Sequence, residues 1–350
     1  MEDKQQQDHN RREDPDGRWR MMLGWRSMKQ TLVILAVFIT MLLASYIVFP
    51  YESYGLRAVR FSREQLEYLR LYASGAEITV PTPKERSEVL KTHVKDACRT
   101  LNISLPVNSF MMAHMHYDDD RKIIYCFIPK VACTSWKRVW MKLTGIVTPE
   151  TNLSTIARYT VHTKLPLLAS AKDKSLKLDT YKKFMFVRHP FDRVLSAYKD
   201  KLENFDKESA YNFHKQVGKK IEKKYRNTTM SQGHNITFSE FIRFISEPGW
   251  GSTEQRNEHW ISMHEICNPC GVEYDFIGKY ETIKEDSNYV LDWLGVKDVV
   301  DGFPSSDRPF HARRYDPKYF NQLDQKAKLE FFSKYLADFL AFNYDFLGAK

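Results

Sequence analysis

Pro129, Lys130, Val131, Ala132, Cys133, Thr134 and Ser135 stand between a short apolar, β-branched run, Lys122 to Ile128, and a stretch in which Trp136, Val139, Trp140 and Leu143 recur at helical spacing. A turn that feeds a helix in this way presents backbone N–H groups and the positive end of the helix dipole to an anion. Lys130 adds a mobile positive charge, and Thr134 and Ser135 add hydroxyl donors. The turn is not a nucleoside-triphosphate loop, because the glycines and the closing Gly-Lys-Ser/Thr of that motif are missing. A second set, Arg188, His189, Pro190, Phe191, Asp192, Arg193, Val194, Leu195 and Ser196, follows the apolar run Lys183 to Val187. Arg193 and Ser196 share a helix face, and an arginine fork beside a hydroxyl suits a second, terminal phosphate. Either set alone reads equally as an ordinary strand-to-helix turn with a solvated cation. Two of them on adjacent strands of one sheet point to a ligand with two anionic groups. Proton transfer in such a site needs a histidine or carboxylate near the strand ends. His162, between the two sets, and the pair Glu258 and His259 are the candidates, and the sequence leaves the choice open.

Those side chains meet only if strand, loop and helix follow one another twice over. Pro190 sits where a first-turn proline is tolerated, and Phe191, Val194, Leu195, Tyr198 and Leu202 form one stripe. Consecutive units of this kind predict an α/β fold, a parallel sheet flanked by helices, whose ligands sit at the carboxyl ends of the strands. Ile236–Ser246, Lys284–Leu294 and Lys326–Phe342 also have helical patterns, the last with aromatics that read as core. Lys215, Lys219, Lys220, Lys223, Lys224 and Arg226 crowd one expected helix, and Arg308, Arg313 and Arg314 form a second basic cluster. Each reads either as a surface for an anionic acceptor or as a solvated face.

The formal charge of +9 suits a polyanionic partner: nucleic acid, anionic lipid or an acidic glycan. Compartment decides among them. Thr31 to Phe49 is an uncharged apolar run, close to the length a helix needs to cross a bilayer. It lacks a small-residue cleavage site and begins far from the N-terminus, so it reads as an uncleaved signal anchor. Arg18, Arg20, Arg26 and Lys29 precede it, which puts the N-terminus in the cytosol and the rest in the lumen. Sequons at Asn102, Asn152, Asn227 and Asn235 fall on that side, which removes nucleic acid and leaves glycans as partners. The expected organisation is a cytoplasmic tail (1–30), a transmembrane helix (31–49), a charged stem (50–94) and a lumenal catalytic domain (95–350). Cys98, Cys126, Cys133, Cys267 and Cys270 are odd in number and lumenal, so disulfides are expected and at least one thiol is left over within the chain. Cys267-Asn-Pro-Cys270 reads as structural rather than as half a zinc site or a redox pair, with the pairing open.

Ile128-Pro-Lys-Val-Ala-Cys-Thr-Ser-Trp136 and Val187-Arg-His-Pro-Phe-Asp-Arg-Val-Leu-Ser-Ala-Tyr198 resemble the 5′-phosphosulfate and 3′-phosphate motifs of the Golgi carbohydrate sulfotransferases. The branch they resemble holds the chondroitin, dermatan and N-acetylgalactosamine 4-O-sulfotransferases. Asn257-Glu-His-Trp260, Cys267-Asn-Pro-Cys270, Tyr274-Asp-Phe-Ile-Gly-Lys-Tyr-Glu281 and Phe339-Leu-Ala-Phe-Asn-Tyr344 are similar in order and spacing, so the resemblance spans residues 95–346. It implies a sulfotransferase fold with a phosphate-loop-like turn and 3′-phosphoadenylyl sulfate (PAPS) as the donor. Pro129 to Ser135 would hold the donor's phosphosulfate, and Arg188 to Ser196 its 3′-phosphate and adenosine. It also implies a glycosaminoglycan acceptor, a single-pass Golgi membrane location and no metal. Lys130 would neutralise the departing phosphate, and His162 lies where related uronyl 2-O-sulfotransferases are thought to place their catalytic histidine. His189 departs from the motif, whose usual residue there is an acid. Chondroitin 4-O-transfer is expected over terminal N-acetylgalactosamine 4-O- or glucuronyl 3-O-transfer. A non-catalytic glycan-binding membrane protein would keep the basic faces but has no use for Lys130, Arg188 and Ser196 together.

Overall fold

A computed structural model of the chain describes residues 80–203, 208–226, 232–247, 253–304 and 316–345. The expected tail, membrane span and most of the stem, the sequon at Asn227 and the cluster Arg308, Arg313 and Arg314 lie outside the described residues. Among the described residues no helix is long and apolar enough to cross a membrane.

Strands β1 (Met115–Asp118), β2 (Ile123–Cys126), β3 (Lys182–Val187) and β4 (Phe276–Lys279) form one sheet in that order. β2, β3 and β4 run parallel, with Cys126 opposite Met185 and Val187 opposite Lys279. β1 runs antiparallel to β2, so the sheet is mixed, which corrects the wholly parallel one expected. Only residues 119–122 join the two strands, enough for a hairpin and too few for a crossover. The Asp118 carboxylate accepts the N–H groups of Asp120 and Arg121 inside that turn.

Helices α1 (Pro83–Thr100), α2 (Cys133–Leu143), α3 (Arg158–Thr163), α4 (Pro190–Lys201), α5 (Lys219–Arg226), α6 (Phe238–Ser246), α7 (Ile283–Trp293), α8 (Gln325–Lys334) and α9 (Leu336–Ala341) surround the sheet and its loops. The expected single helix over Lys326–Phe342 is broken at Tyr335, where α8 ends and α9 begins. Residues 83–94, assigned to the stem by composition, belong to the folded body. Thr82 and Glu85 cap α1 reciprocally, Pro83 occupies its first turn, and Leu90, Val94 and Ala97 are buried in the core. The prolines and charges that suggest a linker are the start signals of that helix.

The side chains divide into two packed cores. One joins the sheet to α1, α2 and α7, with Tyr125 5.0 Å and Trp136 4.9 Å from the Phe184 ring. The other gathers Phe191 and Val194 of α4, Phe241 of α6, Trp260 and Phe331 of α8. β3 belongs to the first core and α4, which it feeds, to the second, so the loop between them lies on the seam.

Two disulfides cross this body. Cys126, at the end of β2, bonds Cys267, and Cys98, near the end of α1, bonds Cys270. The two cysteines of Cys267-Asn-Pro-Cys270 therefore staple one short segment to two different elements, and Cys133 remains as a buried thiol. Alkylation of unfolded, unreduced protein is expected to label Cys133 alone, read by peptide mass spectrometry. Urea denaturation of a Cys126→Ser/Cys267→Ser variant is expected to show a loss of about 2–4 kcal/mol, the usual contribution of a disulfide closing a long loop.

Candidate active site

The chain leaves β2 through Phe127 and Ile128, turns at Pro129, and enters α2 by way of two left-handed residues, Lys130 at φ 71° and Ala132 at φ 52°. That conformation costs a non-glycine residue roughly 1–2 kcal/mol. What it provides is a concave row of backbone N–H groups suited to an anion. The loop is strapped by the Val131 N–H to the Ile128 carbonyl at 3.2 Å. No side chain caps the start of α2, so the N–H groups of Cys133, Thr134 and Ser135 end the helix at its positive pole. Glycine usually supplies such backbone, and its absence here is why the sequence gives no sign of the left-handed turn. The Lys130 ammonium rests 3.1 Å from the buried Asp200 carboxylate of α4, which also has Lys201 at 3.4 Å.

The second loop touches the first. Arg188 stacks over the Tyr280 ring at 4.2 Å and donates to the Lys130 carbonyl at 3.1 Å. The His189 N–H donates to Glu281 Oε1 at 2.9 Å, so a carboxylate reaches this position from β4's end although the residue itself is not acidic. Ser196 is half-buried on α4. Arg193, expected to share a phosphate with it, gives three of its donors to backbone carbonyls. Its side chain is 1% exposed, with Nε donating to the Pro129 carbonyl at 3.0 Å, Nη1 to Ile261 at 2.6 Å and Nη2 to Glu258 at 2.8 Å. Val131, Phe191, Val194 and Leu195, expected among the donor-contacting residues, turn their side chains into the two cores and act as scaffold. Pro190 starts α4, with Asp192 in the first turn complementing the dipole.

A third wall comes from the turn Asn257 to Ile261 and from β1. Glu258 Oε2 lies 3.0 Å from His114 Nε2, and this hydrogen bond, with His259 and Lys137 nearby, holds the Glu258 carboxyl well below its ordinary range. Burial lowers the His259 pKa and so favours its neutral ring, and because Nδ1 donates to Asn257 Oδ1 at 2.8 Å, the acceptor lone pair of that ring is on Nε2. His162 stands apart on α3, exposed, with Nδ1 3.3 Å from the Lys137 ammonium. Lys137 itself is buried, 3.4 Å above the Phe127 ring, and burial lowers its pKa. His116 is buried behind it and lowered to about 3, by burial first and by Lys137 second. Sequence reasoning missed His114, His116 and Lys137. The available signal was the His-x-His spacing, which puts both rings on one face of an extended segment.

Three cations of the basic stretch, which reads from sequence either as an acceptor surface or as a solvated face, are paired with carboxylates. Lys220 pairs with Glu254 at 2.5 Å, Lys224 with Glu247, and Arg226 with Glu240 at 2.7 Å. Asn102, Asn152 and Asn235 are exposed. Among the described residues no group of histidine, cysteine and acidic side chains converges to hold a metal ion.

The pattern of the sulfotransferase family matches residues 113–345. The chain is 35% identical over 241 residues to carbohydrate sulfotransferase 11 of Mus musculus, spanning 67% of each chain. It is 33% identical over 293 residues to carbohydrate sulfotransferase 11 of Danio rerio, spanning 77% of this chain and 80% of that one. With carbohydrate sulfotransferase 14 of Danio rerio it shares 32% over 240 residues, 67% of this chain and 63% of the relative. No solved structure matches the chain.

Arg193→Met strands three carbonyls, two of them held by bonds between buried groups, and is expected to cost about 3 kcal/mol or more in urea unfolding. Arg188→Met, at a half-exposed position, is expected to cost under about 1 kcal/mol in the same measurement.

Proposed function

The chain belongs to the sulfotransferase family and is a carbohydrate sulfotransferase, and from that premise we propose that it sulfates the 4-hydroxyl of N-acetylgalactosamine in chondroitin or dermatan chains. The family implies PAPS as the donor. We place the reaction in the Golgi lumen, with residues 31–49 as the membrane anchor and a glycosaminoglycan chain as acceptor. The observation that carries the reading is the contact between the two anion loops. Arg188, the residue after β3, bonds the Lys130 carbonyl, which puts both loops within reach of one ligand with two anionic ends.

PAPS supplies an activated sulfuryl group on a phosphate leaving group. The left-handed Lys130 and Ala132 and the uncapped start of α2 fit that phosphosulfate, and the cationic Arg188 with the Ser196 hydroxyl fits the 3′-phosphate. Lys130, a compact charge on a flexible stem, exchanges Asp200 for the phosphate oxygen as negative charge grows there. Glu258, whose carboxyl is held below its ordinary range by the hydrogen bond to His114, takes the acceptor's proton, and His259 offers Nε2 as a second acceptor beside it. His162 is less suited to the task. A lysine ammonium donating to Nδ1 leaves the ring proton on Nε2, which makes that nitrogen a donor.

Labelled PAPS incubated with the chain and with desulfated chondroitin, dermatan and heparan in parallel is expected to put label on the 4-position of N-acetylgalactosamine. Lys130→Ala is expected to abolish it. Glu258→Gln should lower kcat by about 10²-fold or more, the size of a general-base contribution, and His162→Ala by less than about tenfold. Binding of the desulfated donor, adenosine 3′,5′-bisphosphate (PAP), with no transfer to any of the three glycans contradicts the acceptor. Absence of PAP binding contradicts the reaction.

A further inference from the structure

His114 lies one residue before β1, 4% exposed, and both of its ring nitrogens face oxygen acceptors. Nδ1 is 2.8 Å from the Phe110 carbonyl and Nε2 is 3.0 Å from Glu258 Oε2. A carbonyl oxygen only accepts, so Nδ1 carries a proton. A further proton must then lie between Nε2 and Oε2, whichever of the two holds it. The His114 carbonyl accepts the N–H of Phe127 at 2.8 Å, which fastens the ring to the strand that delivers the Pro129 turn. Glu258 is fastened from the other side, because the guanidinium that bonds its carbonyl also bonds that of Pro129.

We propose that His114 is a positioning residue of the transfer reaction: through one shared proton it holds the Glu258 carboxylate at a fixed place beside the donor loop. The inference rests on the reading of Glu258 as proton acceptor. The carboxylate is 42% exposed, and Lys137 lies close enough to compete for it, so its direction is not set by packing alone. In the transfer, the acceptor oxygen bonds to sulfur as the sulfur–oxygen bond to the 5′-phosphate breaks, and the phosphate oxygen keeps the electron pair. The acceptor's proton passes to Glu258 Oε1, while the proton at Oε2 stays between that oxygen and His114.

The test uses the full chain with His114→Ala, His114→Gln, Glu258→Gln and the His114→Ala/Glu258→Gln double variant, each checked for native near-ultraviolet dichroism. His114→Ala is expected to lower kcat by about 10²-fold while PAP affinity stays within about twofold. His114→Gln, which still donates to the carboxylate, should recover about tenfold of that loss. The double variant should be no slower than Glu258→Gln alone. A His114→Ala enzyme with wild-type kcat, a loss shared equally by PAP affinity, a glutamine variant no better than the alanine, or losses that multiply in the double variant each overturns the proposal. The pair is also read without turnover, by the imidazole nitrogen resonances of labelled protein. Glu258→Gln is expected to move His114 Nε2 and leave Nδ1 protonated, and an unmoved Nε2 overturns the pairing. A wild-type chain that transfers no sulfate while Nε2 still moves contradicts the reading of the reaction, and His114's role in it, but not the pair.

Discussion

The site depends on one buried ion. Arg193 projects from α4 into a place with almost no solvent, where an unpaired guanidinium would cost several kcal/mol. Carbonyls of Pro129, Glu258 and Ile261 offset that cost, and they come from two stretches of chain far apart in sequence. Because a planar fork bonds along fixed directions, it also fixes how far the donor loop stands from the Glu258 turn. Strained backbone survives only where its surroundings over-determine it. The left-handed Lys130 and Ala132 follow a proline held by this fork and a cysteine, Cys126, held by a disulfide to Cys267.

The same arrangement separates scaffold from chemistry. The side chains of Val131, Phe191, Val194 and Leu195 face the cores, so the loops present backbone N–H groups and a few polar side chains at the seam. The cations there differ in kind. Arg188 is stacked and bonded, suited to a phosphate that binds and stays, whereas Lys130 is a point charge paired with a carboxylate it can leave as charge develops elsewhere. Glu258 is held from both ends, its backbone by Arg193 and its carboxylate by His114.

Much of the candidate site's framework was legible because its signals are local. An apolar run, a turn with Lys130, Thr134 and Ser135, and a helical stripe after it are all contained in about one βα unit, and the second unit repeats the order. Tertiary facts were not. Arg193 and Ser196 are three apart on a helix, and spacing alone cannot say that the first turns inward while the second stays at the surface. The left-handed turn went unseen because Lys130 and Ala132 adopt it without a glycine. The cations of α5 could be read as a binding face because the carboxylates that pair with Lys220, Lys224 and Arg226, those of Glu254, Glu247 and Glu240, come from later in the chain. β1 was missed because a strand of four residues ending in a tight hairpin carries little periodicity. The pairing of Cys267 and Cys270 with two different elements needs the fold itself.

The central claim is that the two loops bind the two anionic ends of one donor nucleotide. It is tested most directly by titrating wild-type, Lys130→Ala and Arg188→Ala chains with PAP and with AMP, which lacks the 3′-phosphate. The account predicts that the 3′-phosphate strengthens binding by about tenfold or more in the wild type and in Lys130→Ala, and adds little in Arg188→Ala. A wild-type chain that does not distinguish PAP from AMP, or an Arg188→Ala chain that distinguishes them fully, contradicts it.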